Sequence, residues 1–314
     1  MTAMMAYMPS GRFAPTPSGP LHVGNLRTAL VAWLFARSDA SPLWLRFDDL
    51  DAQAVRPEHY QGQADDLAAL GLHWDGGPVR QSERLPWYRA ALAELEAAGV
   101  VYPCFCSRRE IREAAQAPNS PLAGHGYPGT CRHLAPVEQA RRRGAGRTPA
   151  LRLRAEGTVI TFRDRLAGPQ RHELDDFVVM RNDGTPAYHL VNVVDDHQMG
   201  IDLVVRGDDL LPSAARQLFL ARLLERPEPA QAHVPLVLSP GGERLAKRHG
   251  AVGLADRATQ GEPPACVLSF LATSLGLAEP GEPVSPAQLL ARFNPDTLPR
   301  EPFVLDPAWV AATE

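Results

Sequence analysis

Arg12-Phe13-Ala14-Pro15-Thr16-Pro17-Ser18-Gly19-Pro20-Leu21-His22-Val23-Gly24-Asn25 is the stretch on which the reading of this chain turns. An extended apolar entry runs into prolines and a Ser-Gly-Pro turn, and His22-Val23-Gly24-Asn25 then opens an amphipathic run from Leu26 to Ser38. Strand, glycine turn and helix N-terminus in that order bring backbone N–H groups and the positive end of a helix dipole to one place, where phosphate can sit. Gly-Lys-Ser/Thr and Gly-x-Gly-x-x-Gly are both missing, so the stretch is neither a Walker loop nor a dinucleotide fingerprint.

Outward from it, Leu43–Phe47 has strand length and composition and ends in Asp48-Asp49-Leu50-Asp51. Helices are expected over Glu58–Leu70 and Trp87–Ala98, each stopped by a glycine. That order predicts a parallel sheet with helices packed on it. At Cys104 the character changes: Cys104-Phe105-Cys106, a charged helix over Ser107–Gln116, a Pro/Gly-rich loop and Tyr127-Pro128-Gly129-Thr130-Cys131-Arg132-His133 suggest an insertion. Leu151–Ala155 and Thr158–Arg163 alternate around Gly157 and predict a hairpin. The sheet is expected to resume with Asp176–Arg181, Tyr188–Asp196 and Asp202–Asp209, to continue past a capped helix over Ser213–Leu224, and to finish at Val234–Leu238. Helical stretches follow at Ala265–Gly276 and Pro286–Phe293.

With 314 residues, 45% of them hydrophobic and 22% charged, the chain can build two or three cores. A net charge of -4 excludes a generally basic nucleic-acid binder but leaves room for a local basic face. The run Arg141-Arg142-Arg143-Gly144-Ala145-Gly146-Arg147 is such a face or a solvated loop. No apolar stretch is long enough to span a bilayer and no basic-then-apolar leader is visible, so a cytoplasmic chain without membrane partners is expected, as a monomer. Of the four cysteines, Cys104, Cys106 and Cys131 fit a metal site better than a disulfide framework, with a fourth donor open between Tyr127, His133 and His125. Cys266, on an apolar helical face, is expected in the core.

A second constellation, Arg244-Leu245-Ala246-Lys247-Arg248-His249-Gly250-Ala251, follows a strand and a Gly241-Gly242 turn. Together the two stretches resemble the "HIGH" and "KMSKS" signatures of class I aminoacyl-tRNA synthetases, in the form used by the glutamyl branch. Two departures stand out: Arg244 takes the place of the family's first lysine and Ala246 that of its serine. The resemblance implies an α/β fold: a discontinuous Rossmann-type catalytic domain (1–103 and 174–250), a zinc-bearing insertion (104–173) and a short helical C-terminal region (251–314). It implies ATP with Mg²⁺ at His22, Gly24, Asn25, Arg244, Leu245, Ala246, Lys247 and Arg248, with His22, Gly24, Asn25 and Lys247 stabilising charge that builds during adenylate formation.

The same resemblance places glutamate against Arg12, Phe13, Ala14, Pro15, Thr16, Asp48, Tyr188 and Arg206. A guanidinium fork at Arg12 or Arg206 matches a side-chain carboxylate, and Asp48 offers a charge to the α-ammonium. Asp48 stands where the family has Glu, about 1.5 Å shorter in reach. A structural Zn²⁺ is implied at Cys104, Cys106, Tyr127 and Cys131. About sixty residues follow Gly250, too few for a helical anticodon-reading domain with its connecting bundle. The resemblance is therefore to the short members of the branch, which form glutamyl-adenylate without tRNA and esterify queuosine at the wobble position of tRNA(Asp). A truncated enzyme charging the 3′ end of tRNA(Glu), or a non-catalytic tRNA-binding paralogue, are the alternatives.

Overall fold

The computed structural model describes residues 10–115, 126–245 and 252–310. Its strands are β1 (Ser10–Phe13), β2 (Leu43–Phe47), β3 (Val79–Arg80), β4 (Val101–Cys104), β5 (Ala150–Leu153), β6 (Val159–Asp164), β7 (Gly168–Glu173), β8 (Phe177–Met180), β9 (Ile201–Gly207), β10 (Ala230–Val234), β11 (Val237–Leu238) and β12 (Phe303–Val304). Helices α1 (Val23–Ser38), α2 (Glu58–Ala69), α3 (Leu85–Ala97), α4 (Arg108–Ala115), α5 (Pro136–Gly144), α6 (Tyr188–Gln198) and α7 (Leu211–Leu223) alternate with them. Near the C-terminus come α8 (Leu254–Thr259), α9 (Pro264–Ser274), α10 (Pro286–Arg292) and α11 (Pro307–Val310).

Seven strands form the main sheet in the order β3-β2-β1-β9-β10-β6-β7, parallel except for the β6–β7 hairpin at one edge. The chain leaves β1 toward β2 on one side and returns through β9 on the other. The carboxyl ends of β1 and β9 therefore flank the crevice where an open α/β sheet binds its ligand. Helix α1 crosses this junction. It is not the one-sided amphipath expected from Leu26 onward: Val23, Leu26, Leu30, Val31 and Leu34 are all buried, because α9 and α10 cover the side that faces away from the sheet. Buried Arg27 ties these layers together. Its guanidinium donates to the Pro235 carbonyl at 2.6 Å and to the Ser274 hydroxyl and carbonyl at the end of α9, and burial lowers its pKa to about 10.

Five expectations change. Tyr188–Asp196 is the helix α6, not a strand; a short apolar run with β-branched residues fits a buried helix equally well until its neighbours are known. Here Leu190, Val191, Val193 and Val194 pack inward while Tyr188, Asn192, Asp195 and Asp196 supply polar contacts. The expected hairpin across Gly157 does not form: β5 pairs with β4 and β8 in a separate antiparallel sheet, and β6 pairs with β7. Accordingly, β8 does not resume the main sheet, whereas β6 joins it beside β10. The last expected strand is split into β10, inside the main sheet, and β11, which pairs with β12. Cys266 is exposed rather than in the core. Among the described residues no helix is long and apolar enough to cross a membrane.

Candidate active site

At the crevice lies a cavity of about 290 Å³. Arg12, Phe13, Ala14 and Pro15 reach it from the end of β1, His22, Gly24 and Asn25 from the start of α1, and Asp48 from the end of β2. Tyr188 at the start of α6, Arg206 near the end of β9, and Arg244 and Leu245 complete this set. Thr16 instead lines a larger cleft of about 1250 Å³, which shares Asp48 and Tyr188 with the smaller cavity. Ala246, Lys247 and Arg248 lie outside the described residues, as does His125.

His22 is the N-cap of α1. Its Nδ1 accepts from the amides of Gly24 at 3.1 Å and Asn25 at 3.3 Å, while the Asn25 side chain accepts from the His22 amide. This is a capping box with imidazole in the usual hydroxyl or carboxylate role. Two consequences follow. The amides of Gly24 and Asn25, expected as phosphate donors, are spent inside the cap, and that of Val23 goes to the Val252 carbonyl. With Nδ1 accepting, the neutral ring carries its hydrogen on Nε2, and the helix dipole adds to it at this end. Gly24 has a steric role: a Cβ there would stand 3.0 Å from the His22 ring.

The segment around the second motif is anchored at both described ends. Arg244 pairs with Asp209 at 2.7 Å and bridges Leu238, while Gly253 bridges His22 and comes so near the Leu21 carbonyl that a Cβ would sit 2.7 Å from it.

Beneath the cavity lies a buried charge network. Arg46 donates to Asp48 at 2.8 Å, Asp196 at 2.6 Å and Asn192 at 2.8 Å; Arg12 donates to Asp196 at 3.3 Å and to the Val205 carbonyl. Asp195 accepts from Arg84, Tyr88 and Gln81. Arg12, Arg46 and Arg84 are thereby matched by Asp48, Asp195 and Asp196. Arg206 is the exception. Its bonded partners are all neutral: His233 at 3.0 Å, Gln217 at 2.7 Å, Tyr188 at 3.3 Å and Gln231 at 3.4 Å. Burial lowers its pKa, a cost that an incoming anion would remove. Burial likewise raises Asp48, against the opposing pull of Arg46.

The cysteines meet at the edge of the larger cleft. The sulfurs of Cys104, Cys106 and Cys131 lie within 4.8 Å of one another, with Cys106 and Cys131 at 3.6 Å. A tetrahedral zinc with sulfurs at about 2.3 Å needs an S···S edge of about 3.8 Å, so the trio fits one. The Tyr127 oxygen is 3.4 Å from the Cys104 sulfur and accepts from the Cys131 amide. His133 is exposed and outside the cluster. Hydrogen bonds from Cys106, and from Tyr127 and Arg152, push Cys104 down to about 4 despite its burial.

A family model described as "tRNA synthetases class I (E and Q), catalytic domain" matches residues 10–283. The chain belongs to this family. The glutamyl-Q tRNA(Asp) synthetase of Nocardia farcinica is 55% identical over 94% of this chain and 93% of its own length, and that of Symbiobacterium thermophilum is 48% identical over 96% and 97%. A glutamate tRNA ligase from Elizabethkingia meningosepticum, solved with its amino acid, superposes with a TM-score of 0.82 at 27% identity, covering 96% of this chain and 68% of that one. The protein is a ligase of the class I synthetase type with a parallel α/β sheet. Residues of both motifs line the cavity; Asn192, Gln217 and His233 carry no such signature, and Asp195-Asp196 are legible in sequence only as the acidic end of an apolar run.

Proposed function

We propose that this synthetase activates glutamate with ATP and transfers it to queuosine at the wobble position of tRNA(Asp). The observation that carries this is the nearly end-to-end match to relatives named glutamyl-Q tRNA(Asp) synthetase, at 55% and 48% identity. In the first step the glutamate α-carboxylate attacks the α-phosphorus of ATP and pyrophosphate leaves. His22 Nε2–H and the α1 dipole stabilise the charge that builds on the phosphates, and Mg²⁺ and Lys247 would add to it. Arg206 receives the side-chain carboxylate, being among the described residues the buried cation of the network without a carboxylate partner, with the Tyr188 hydroxyl beside it. Asp48, oriented by Arg46, faces the α-ammonium.

In the second step a hydroxyl of the queuosine cyclopentene ring attacks the glutamyl carbonyl and AMP leaves. The larger cleft opens onto the smaller cavity at Asp48 and Tyr188 and carries Arg108, Arg147, Arg181 and Arg216, a set of cations for RNA phosphates. A zinc ion held by Cys104, Cys106, Tyr127 and Cys131 would pin the cleft wall around β4, a structural role. Incubation with bulk tRNA and labelled glutamate, followed by mapping of the modified nucleotide, tests the proposal. Label in the anticodon loop that survives removal of the tRNA 3′ end and is absent on queuosine-free tRNA is expected. Label on the terminal ribose would overturn it in favour of 3′-end charging.

A further inference from the structure

Arg206 does not hold itself in place. Its Nε donates to His233 Nε2 at 3.0 Å, across registered positions of β9 and β10. His233 Nδ1 in turn meets Asp164 Oδ2 at 2.6 Å, and both side chains are fully buried. One imidazole tautomer alone satisfies both contacts. A guanidinium can only donate, so Nε2 must present a lone pair, and the hydrogen must lie on Nδ1, donated to Asp164. Asp164 has no freedom to turn. Its Oδ1 already accepts from the amides of Leu166 at 2.9 Å, Ala167 at 2.8 Å and His233 at 3.1 Å, leaving Oδ2 for the ring. Asp164 sits on the last residue of β6, the strand that joins the main sheet only at its edge.

We propose that Asp164 and His233 are positioning residues for amino-acid recognition, fixing the plane of the Arg206 guanidinium by setting the imidazole tautomer. A carboxylate that takes this fork displaces the long contacts to Tyr188 at 3.3 Å and Gln231 at 3.4 Å, and the plane has to be set before the substrate arrives, or part of the binding free energy goes into ordering it. His233 fixes Nε and Gln217 fixes Nη1. The inference rests on Arg206 being the partner of the glutamate side chain.

The decisive variant is Asp164→Asn. Its Oδ1 stays with the three amides, so its NH₂ replaces Oδ2 and faces His233 Nδ1. The ring must then accept at Nδ1 and carry its hydrogen on Nε2, pointing a donor at a donor. The KM for glutamate in ATP–pyrophosphate exchange is expected to rise about 30–100-fold, with the KM for ATP within about twofold of wild type. Asp164→Ala leaves Arg206 free to select the accepting tautomer, so it is expected to raise the glutamate KM less than Asn does while lowering Tm more. A purely structural role for Asp164 gives the opposite KM order.

Nitrogen-15 NMR of histidine-labelled protein reads the tautomer directly: hydrogen on Nδ1 of His233 in wild type, on Nε2 in Asp164→Asn. An unchanged tautomer or an unchanged glutamate KM in Asp164→Asn overturns the relay, and these two readouts decide even if Asp164→Ala does not fold. Arg206→Lys separates the two levels of inference. If it leaves the glutamate KM unchanged, the assignment of Arg206 itself fails; if it raises that KM while Asp164→Asn does not, only the relay fails.

Discussion

His22 combines two jobs that substitution can pull apart. Its Nδ1 caps α1 through two amides, and its ring lines the cavity with a hydrogen fixed on Nε2. Asparagine is a good N-cap, and its short Oδ1 can take over the amides, but it cannot carry a donor out to where Nε2 stands. Alanine loses both. His22→Asn is therefore expected to keep wild-type stability, whereas His22→Ala loses about 1 kcal/mol, or about 2 °C in Tm for a chain of this size. Both are expected to slow glutamate-dependent ATP–pyrophosphate exchange about 10²–10³-fold, the scale for removing one preorganised donor from a developing oxyanion. The assay is exchange at saturating ATP and glutamate, with thermal unfolding in parallel. An exchange rate in His22→Asn within about threefold of wild type would refute the donor role, since the cap alone would then account for the residue.

Other outcomes follow from the charge network, the metal cluster and His189. Arg206→Lys keeps the charge but loses the fork; the glutamate KM measured by exchange should rise about 10–100-fold with little change for ATP. Chelation should remove one zinc per chain and lower Tm, with glutamate-dependent exchange largely retained because none of the cysteines lines the smaller cavity; metal analysis alongside the assay checks both. Burial pushes His189 down to about 3, with Arg216 adding to it. Below about pH 6.5 the unfolded chain binds a proton that the folded chain refuses, so this contribution is present at neutral pH and fades as pH falls toward 3. Urea unfolding at pH 7.5 and 5.5 should show His189→Asn losing about 1 kcal/mol less than wild type over that interval.

The order of functional loops was legible in the linear chain because each depends on local chemistry. The proline-glycine turn into His22-Val23-Gly24-Asn25 sets a helix start, and Arg206 follows an apolar β-branched run whose pattern is that of the strand β9. Cys104, Cys106, Tyr127 and Cys131 lie close enough in sequence for a metal site to be suspected. Tyr188–Asp196 marks the limit. Nine residues of apolar and acidic character satisfy a strand or a helix equally, and packing between α3, α7 and the main sheet decides for the helix.

By itself the sequence determined which residue types could meet ATP, glutamate and metal. Tertiary structure decided which of those groups remain available. The Gly24 and Asn25 amides look like phosphate donors until the His22 ring is seen to take them. Arg12 and Arg206 look alike until Asp196 neutralises one and four uncharged partners surround the other. Asp164 stands 69 positions from His233, and only the register of β6, β10 and β9 makes them one chain of hydrogen bonds. A backbone amide has one hydrogen to give and a buried cation beside a carboxylate is already neutralised, facts that no local pattern records.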